Sequence, residues 1–198
     1  MGIAGMMNRG KGILLTPKSE WPQIETENAG HFQTLRSWLL PLSLLAAVAA
    51  FIGCMITCIS TFGFSFTTLG LGLRLGLRMA VLQLGSMIGG AYLTAFVVNA
   101  LAEKYVSRKN LDQAFALIAY AYTPACLGGM FQIIPPLATI GSLVGLYSLY
   151  LLYIGLQPMM KTPPEKNTGY FVVSLLCVLG VYIILSVVLA ALFMPKLF

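Results

Sequence analysis

Few residues in this chain carry chemistry, and the most suggestive are two arginines. Arg74 and Arg78 stand four apart in a leucine- and glycine-rich stretch, so on a helix they share one face, one turn apart. Two guanidinium groups on one face suit an anion. That anion is either a headgroup or solute held in a cavity between helices, or the lipid phosphates reached by snorkelling from the end of a span, which is the commoner arrangement. Pro124 comes next. Inside a helix it would leave the carbonyl of Tyr120 without its usual donor, and Thr123 or a neighbouring tyrosine hydroxyl is placed to supply one. Broken helices do line substrate sites in transporters, although a structural kink is the more frequent result.

Other reactive types are thinly spread. Cys54 and Cys58 are also a turn apart, but no His, Asp or Glu lies near them in sequence. Cysteine then behaves as a small apolar residue. His31 is the single histidine, and no GxSxG, HExxH or Walker pattern occurs. The apolar runs hold no carboxylate pair for acid–base work. No catalytic, cofactor or metal site is therefore expected, and the reading is non-enzymatic.

The elements that position these residues are apolar. The chain has 198 residues, 58% of them hydrophobic and 9% charged, whereas about a quarter of a soluble domain is charged. Not one Asp, Glu, Lys or Arg occurs from Gln113 to Met160, as two successive bilayer crossings require. The pattern predicts an all-α polytopic membrane protein with five transmembrane helices, over about 38–59, 79–101, 113–131, 134–156 and 170–193. Trp38 would open the first span at the interface. Residues 61–78 contain a run, Leu69 to Arg78, in which leucine alternates with glycine or arginine, a period of two that suits a strand. A lone strand has no backbone partner in a membrane, so a helical lead-in to the second span is expected instead. Asp112 would cap the third span and Pro135 would open the fourth. Gly85/Gly89 and Gly141/Gly145 fit the GxxxG spacing that lets helix backbones approach closely. Residues 1–37 form a polar tail. It is either solvated or carries a short interfacial helix from Glu20 to about Asn28, capped by Ser19, with Trp21 at headgroup depth.

Charge sets the orientation. Five spans put Arg9, Lys11, Lys18, Arg36, Lys104, Arg108, Lys109, Lys161 and Lys166 on one side, against Arg74, Arg78 and Lys196 on the other. The positive-inside rule then places the amino terminus in the cytoplasm and the carboxyl terminus outside. The net charge of +6 serves this orientation. It does not form a basic face interleaved with aromatics, so no nucleic-acid partner is expected.

The runs AYAYTP (119–124), IIPP (133–136) and GLYSLYLLYIGL (145–156), with TPKSEWPQIETEN upstream (16–28), resemble the Ypt-interacting protein (YIP) family, and its small bacterial inner-membrane members in length and layout. The resemblance implies five spans, a cytoplasmic amino terminus and the bacterial inner membrane. It brings no established reaction for the bacterial members. Eukaryotic relatives are associated with Rab-type small GTPases through a longer amino-terminal region with an acidic, proline-containing DLYGP-like motif. This chain has no such run, so small-GTPase binding does not carry over. The partners expected are membrane lipids and either a membrane-protein partner or a second copy of the chain.

Overall fold

The computed structural model describes the backbone of residues 3–193, with side chains placed for 5–181 and for Ile183. Helices make up nearly all of it, and no strand occurs among the described residues. Two helices, α1 (Ile3–Leu15) and α2 (Pro17–Glu27), precede a single turn, α3 (His31–Thr34). That turn passes through a π-helical stretch at Leu35–Leu39 into α4 (Leu40–Phe62). Then come α5 (Phe66–Leu101), α6 (Leu111–Ala121), α7 (Thr123–Met130), α8 (Ala138–Met160) and α9 (Pro164–Phe193).

Four stretches are long and apolar enough to cross a membrane: His31–Phe62, Phe66–Tyr105, Leu111–Ile133 and Pro135–Met160. They make the chain a polytopic α-helical membrane protein. The fifth expected run, 170–193, lies on α9, whose distal side chains fall outside the described residues. The third stretch is the central one, with 72% of its apolar window buried inside the protein against 22–39% for the others. Every residue from Gln113 to Ala121 is buried, so this helix meets protein on all sides while its neighbours keep exposed faces.

The leucine–glycine alternation does fold as helix, continuous through α5. Its glycines serve packing. A Cβ at Gly76 would lie 2.8 Å from the Phe51 ring, and one at Gly72 would lie 2.9 Å from the Met55 sulfur. α4 and α5 thus form a close antiparallel hairpin. Ser65 caps α5, accepting from the Thr68 N–H at 3.1 Å.

Several boundaries differ from the sequence expectation. The first span begins at His31, ahead of Trp38. Trp38 is 1% exposed and is packed under α1, so it is no interfacial anchor. Pro135 sits in a 3₁₀ turn, and α8 starts only at Ala138 and runs on to Met160. The loop expected over 157–169 shrinks to residues 161–163 because α9 opens at Pro164, where a missing N–H is tolerated. The third span is capped by Asn110, whose Oδ1 accepts from the N–H groups of Asp112 and Gln113 at 3.0 and 3.3 Å. Asp112, free of the capping role, turns to His31.

Candidate functional site: the amino-terminal hairpin and its lateral groove

The tail is neither solvated nor a single helix. α1 and α2 fold back on each other at Thr16, whose N–H bonds the Gly12 carbonyl at 2.8 Å. Pro17 then starts α2, so Ser19 lies inside the helix, where its hydroxyl donates to the Thr16 carbonyl at 2.9 Å and caps nothing. α2 ends at Asn28, which takes the left-handed conformation (φ 43°) that asparagine tolerates better than most residues.

Ile13, Trp21 and Ile24 are 0–3% exposed and fasten the hairpin to α6 and α8. Trp21 is therefore a core residue and not a headgroup anchor. Its ring fits over Gly155, where a Cβ would come within 2.7 Å of it. Polar ties surround this apolar contact. The Tyr147 hydroxyl donates to the Leu14 carbonyl at 3.0 Å. The Gln113 amide donates to Asn28 Oδ1 at 2.6 Å and to the Glu25 carbonyl at 3.2 Å, and Lys161 pairs with Glu25 at 3.2 Å. His31 approaches Asp112 Oδ1 with both its backbone N–H (2.9 Å) and its ring Nδ1 (2.5 Å).

Arg9 joins the two helices. Its guanidinium forms a two-pronged pair with Glu27, one prong at 2.9 Å, and lies 5.9 Å from the centre of the Tyr120 ring. Burial, the largest single influence, opposes its charge. The Glu27 hydrogen bond and the nearby Tyr120 and Glu27 outweigh that and hold its pKa above the ordinary value.

Beneath α1 the expected break in the third span is present. α6 and α7 meet at Tyr122, and the Thr123 hydroxyl donates to the Tyr120 carbonyl at 2.7 Å. The same oxygen accepts the Trp38 indole N–H at 3.1 Å. Pro124 and Tyr120 are buried in the bundle. Farther along, α7 and α8 cross backbone to backbone at Gly128 and Gly141. Gly145 lies 3.8 Å, measured from an ideal Cβ, from the Cα of Ala125. Pro135 is exposed in the turn between these helices. Gly85 and Gly89, by contrast, have nothing within 4 Å of an ideal Cβ among the described residues.

Among the described residues three apolar grooves open on the sides of the bundle. One, of about 330 Å³, has α1 as one wall, α4 and α7 as the other, and Trp38 and Thr123 as its floor. Lys11 is the single charged residue that lines it. A second, of about 280 Å³, lies between α4 and α5 around Phe51 and Leu77. The third, of about 470 Å³, flanks the turn after α7 around Met130 and Ile134. Arg74 and Arg78 line none of the three. Both are exposed on α5, near the level of Phe51 and Met55, which contact Gly76 and Gly72. Neither enters the four described ion pairs.

The structure thus brings Tyr120 together with Arg9 and Trp38, with Pro124 buried one residue beyond Thr123, and leaves Arg74, Arg78 and Pro135 exposed elsewhere. Arg9, Glu27 and Lys11 carried no sequence signal as site residues, since charges in a polar tail look alike until a helix docks. Among the described residues no group of three or more His, Cys, Asp or Glu is arranged to hold a metal.

The sequence pattern of the Yip1 domain matches residues 11–192, so the chain belongs to the Yip1 domain family. It is 27% identical over 187 residues to the inner membrane protein YohC of Escherichia coli K12, covering 90% of this chain and 93% of that protein. The YohC of Escherichia coli O6:H1 matches to the same extent. No solved structure matches.

Proposed function

We propose that this Yip1-family chain is a non-enzymatic, partner- or lipid-binding component of the bacterial inner membrane. In this reading it crosses the bilayer five times, with its amino-terminal hairpin on the cytoplasmic side and its carboxyl end outside. The location follows the Escherichia coli relative, whose name places that protein in the inner membrane. The orientation follows the excess of basic residues in the tail and in the segments after α5 and α8.

One observation carries the proposal. A central helix sheathed on all sides is surrounded by apolar grooves that open to the flanks of the bundle. Such clefts receive hydrocarbon or another helix, and they offer a polar solute few partners. The rival reading, a small transporter or channel subunit, needs a path past Pro124 and the Arg74/Arg78 face. Pro124 is buried while both arginines are exposed on a different helix.

The deciding experiment is purification in nanodiscs at native expression, with mass spectrometry of bound proteins and lipids. A stoichiometric protein or a selectively retained lipid is the expected result. Solute flux by the isolated protein in liposomes overturns the proposal.

A further inference from the structure

The groove walled by α1 is built differently from the other two. Its wall residues Met7, Leu14, Leu42, Leu45 and Leu127 are apolar, and its floor is the Trp38 ring bonded to Thr123. At its edge stands one exposed cation, Lys11. The grooves around Phe51 and Ile134 are lined by no charge.

The other charges near α1 are spoken for or face elsewhere. Arg9 is held by Glu27. Glu20 lies against Gly12, about 100° around the helix from Lys11 at 100° per residue, and is in none of the four described ion pairs. Lys11 enters none of the four described ion pairs. An apolar slot in a membrane protein with a free ammonium at its mouth is complementary to an acyl chain that ends in a negative headgroup.

We propose that this groove holds one acyl chain of an anionic phospholipid, with the lipid phosphate on Lys11. The inference rests on the lipid-binding form of the function proposed above and names its ligand class and site. The lone cation at the mouth of an otherwise apolar lining favours an anionic lipid over an apolar partner helix. Lysine suits the task because its charge rides on a flexible four-carbon stem that can lie along apolar surface while the ammonium reaches a phosphate.

The chain has two tryptophans, so the Trp21→Phe variant leaves Trp38 as a reporter on the groove floor. It is reconstituted in phosphatidylcholine vesicles containing a minor fraction of either brominated phosphatidylglycerol or brominated phosphatidylcholine. The expected result is quenching of Trp38 that favours the anionic lipid about fivefold, the preference one juxtamembrane lysine confers. Adding Lys11→Gln should abolish that preference while leaving quenching in place. If Trp21→Phe does not fold, the difference between native protein and the Trp38→Phe variant gives the same readout.

Equal quenching by both lipids overturns the proposal, as does Trp38 shielded from both. A co-purifying protein that accompanies such shielding would assign the groove to a partner helix, sinking this inference while leaving partner binding intact. Solute flux by these vesicles would sink the parent reading and leave the lipid preference to be judged separately.

Discussion

The backbones of Gly128 and Gly141 meet so closely that a Cβ on either would run into the carbonyl oxygen of the other. This contact sets the crossing of α7 and α8. The second glycine of that GxxxG pair, Gly145, is looser, with Ala125 Cα at 3.8 Å from its ideal Cβ. Gly128→Ala and Gly141→Ala should each cost about 1–3 kcal/mol, the usual penalty of overpacking a tight site. Gly85→Ala, on an open helix face, should gain roughly 0.5–1 kcal/mol from helix propensity. Denaturant titration in detergent micelles reads both signs, and equal effects at the two sites would contradict the crossing.

Thr123 performs two bonds with one hydroxyl, donating to the Tyr120 carbonyl and accepting from Trp38. Removing the hydroxyl at constant shape strands a buried carbonyl and a buried indole N–H. Thr123→Val should therefore lose about 1–3 kcal/mol per stranded group, while Thr123→Ser should stay near the native value. A shift of Trp38 fluorescence in the valine variant alone would show that the indole has lost its acceptor.

The break at Pro124 was legible in sequence because proline's missing N–H leaves a specific carbonyl open, and a hydroxyl one residue before it is a natural donor. α5 was legible too, since no strand can satisfy its backbone alone in lipid. The docked hairpin was not. Its first helix, Ile3–Leu15, mixes three glycines with Arg9 and Lys11, so its helicity comes from Ile13 and Leu14 packing against the bundle and not from local propensity. The burial of Trp21 and Trp38 is hidden in the sequence for a related reason. A tryptophan near the start of an apolar run has the same sequence context whether it faces headgroups or is roofed by another helix, and only the position of α1 and α2 decides.

Arg9 and Glu27 pair across the hairpin with side chains that are 12% and 43% exposed. A pair with one partner this open to solvent contributes roughly 0.2–1 kcal/mol, enough to bias a short helix toward its dock without fixing it there. Glu27→Gln should accordingly raise amide hydrogen exchange across α1 several-fold while leaving α6 protected. The double-mutant cycle with Arg9→Gln should show a coupling of about that size. Zero coupling would assign the docking of α1 to its apolar face alone.

Asn110, and not Asp112, satisfies the first free N–H groups of α6. Asn110→Ala should cost ~1 kcal/mol, as loss of an N-cap does, and Asn110→Asp should restore most of it. Asp112→Asn should instead loosen α3, because Asp112 is where His31 is anchored through both its backbone N–H and its ring. Hydrogen exchange separates the two. Protection should fall at the start of α6 in the first variant and around His31 in the second.

The orientation rests on charge, and charge can be moved. Lys104, Arg108 and Lys109 follow α5, and Lys161 and Lys166 follow α8, so both connections should face the cytoplasm together with the hairpin. A reporter fused after Phe198 should be active only outside the membrane, and one fused before Met1 only within the cell. The hairpin adds a physical reason for this arrangement beyond the count of basic residues. Glu25, Asn28 and His31 of the amino-terminal region contact Lys161, Gln113 and Asp112, so the tail, the start of α6 and the end of α8 must share one side of the bilayer. Reporters showing residues 1–30 and the α8–α9 connection on opposite faces would break those contacts and the topology with them.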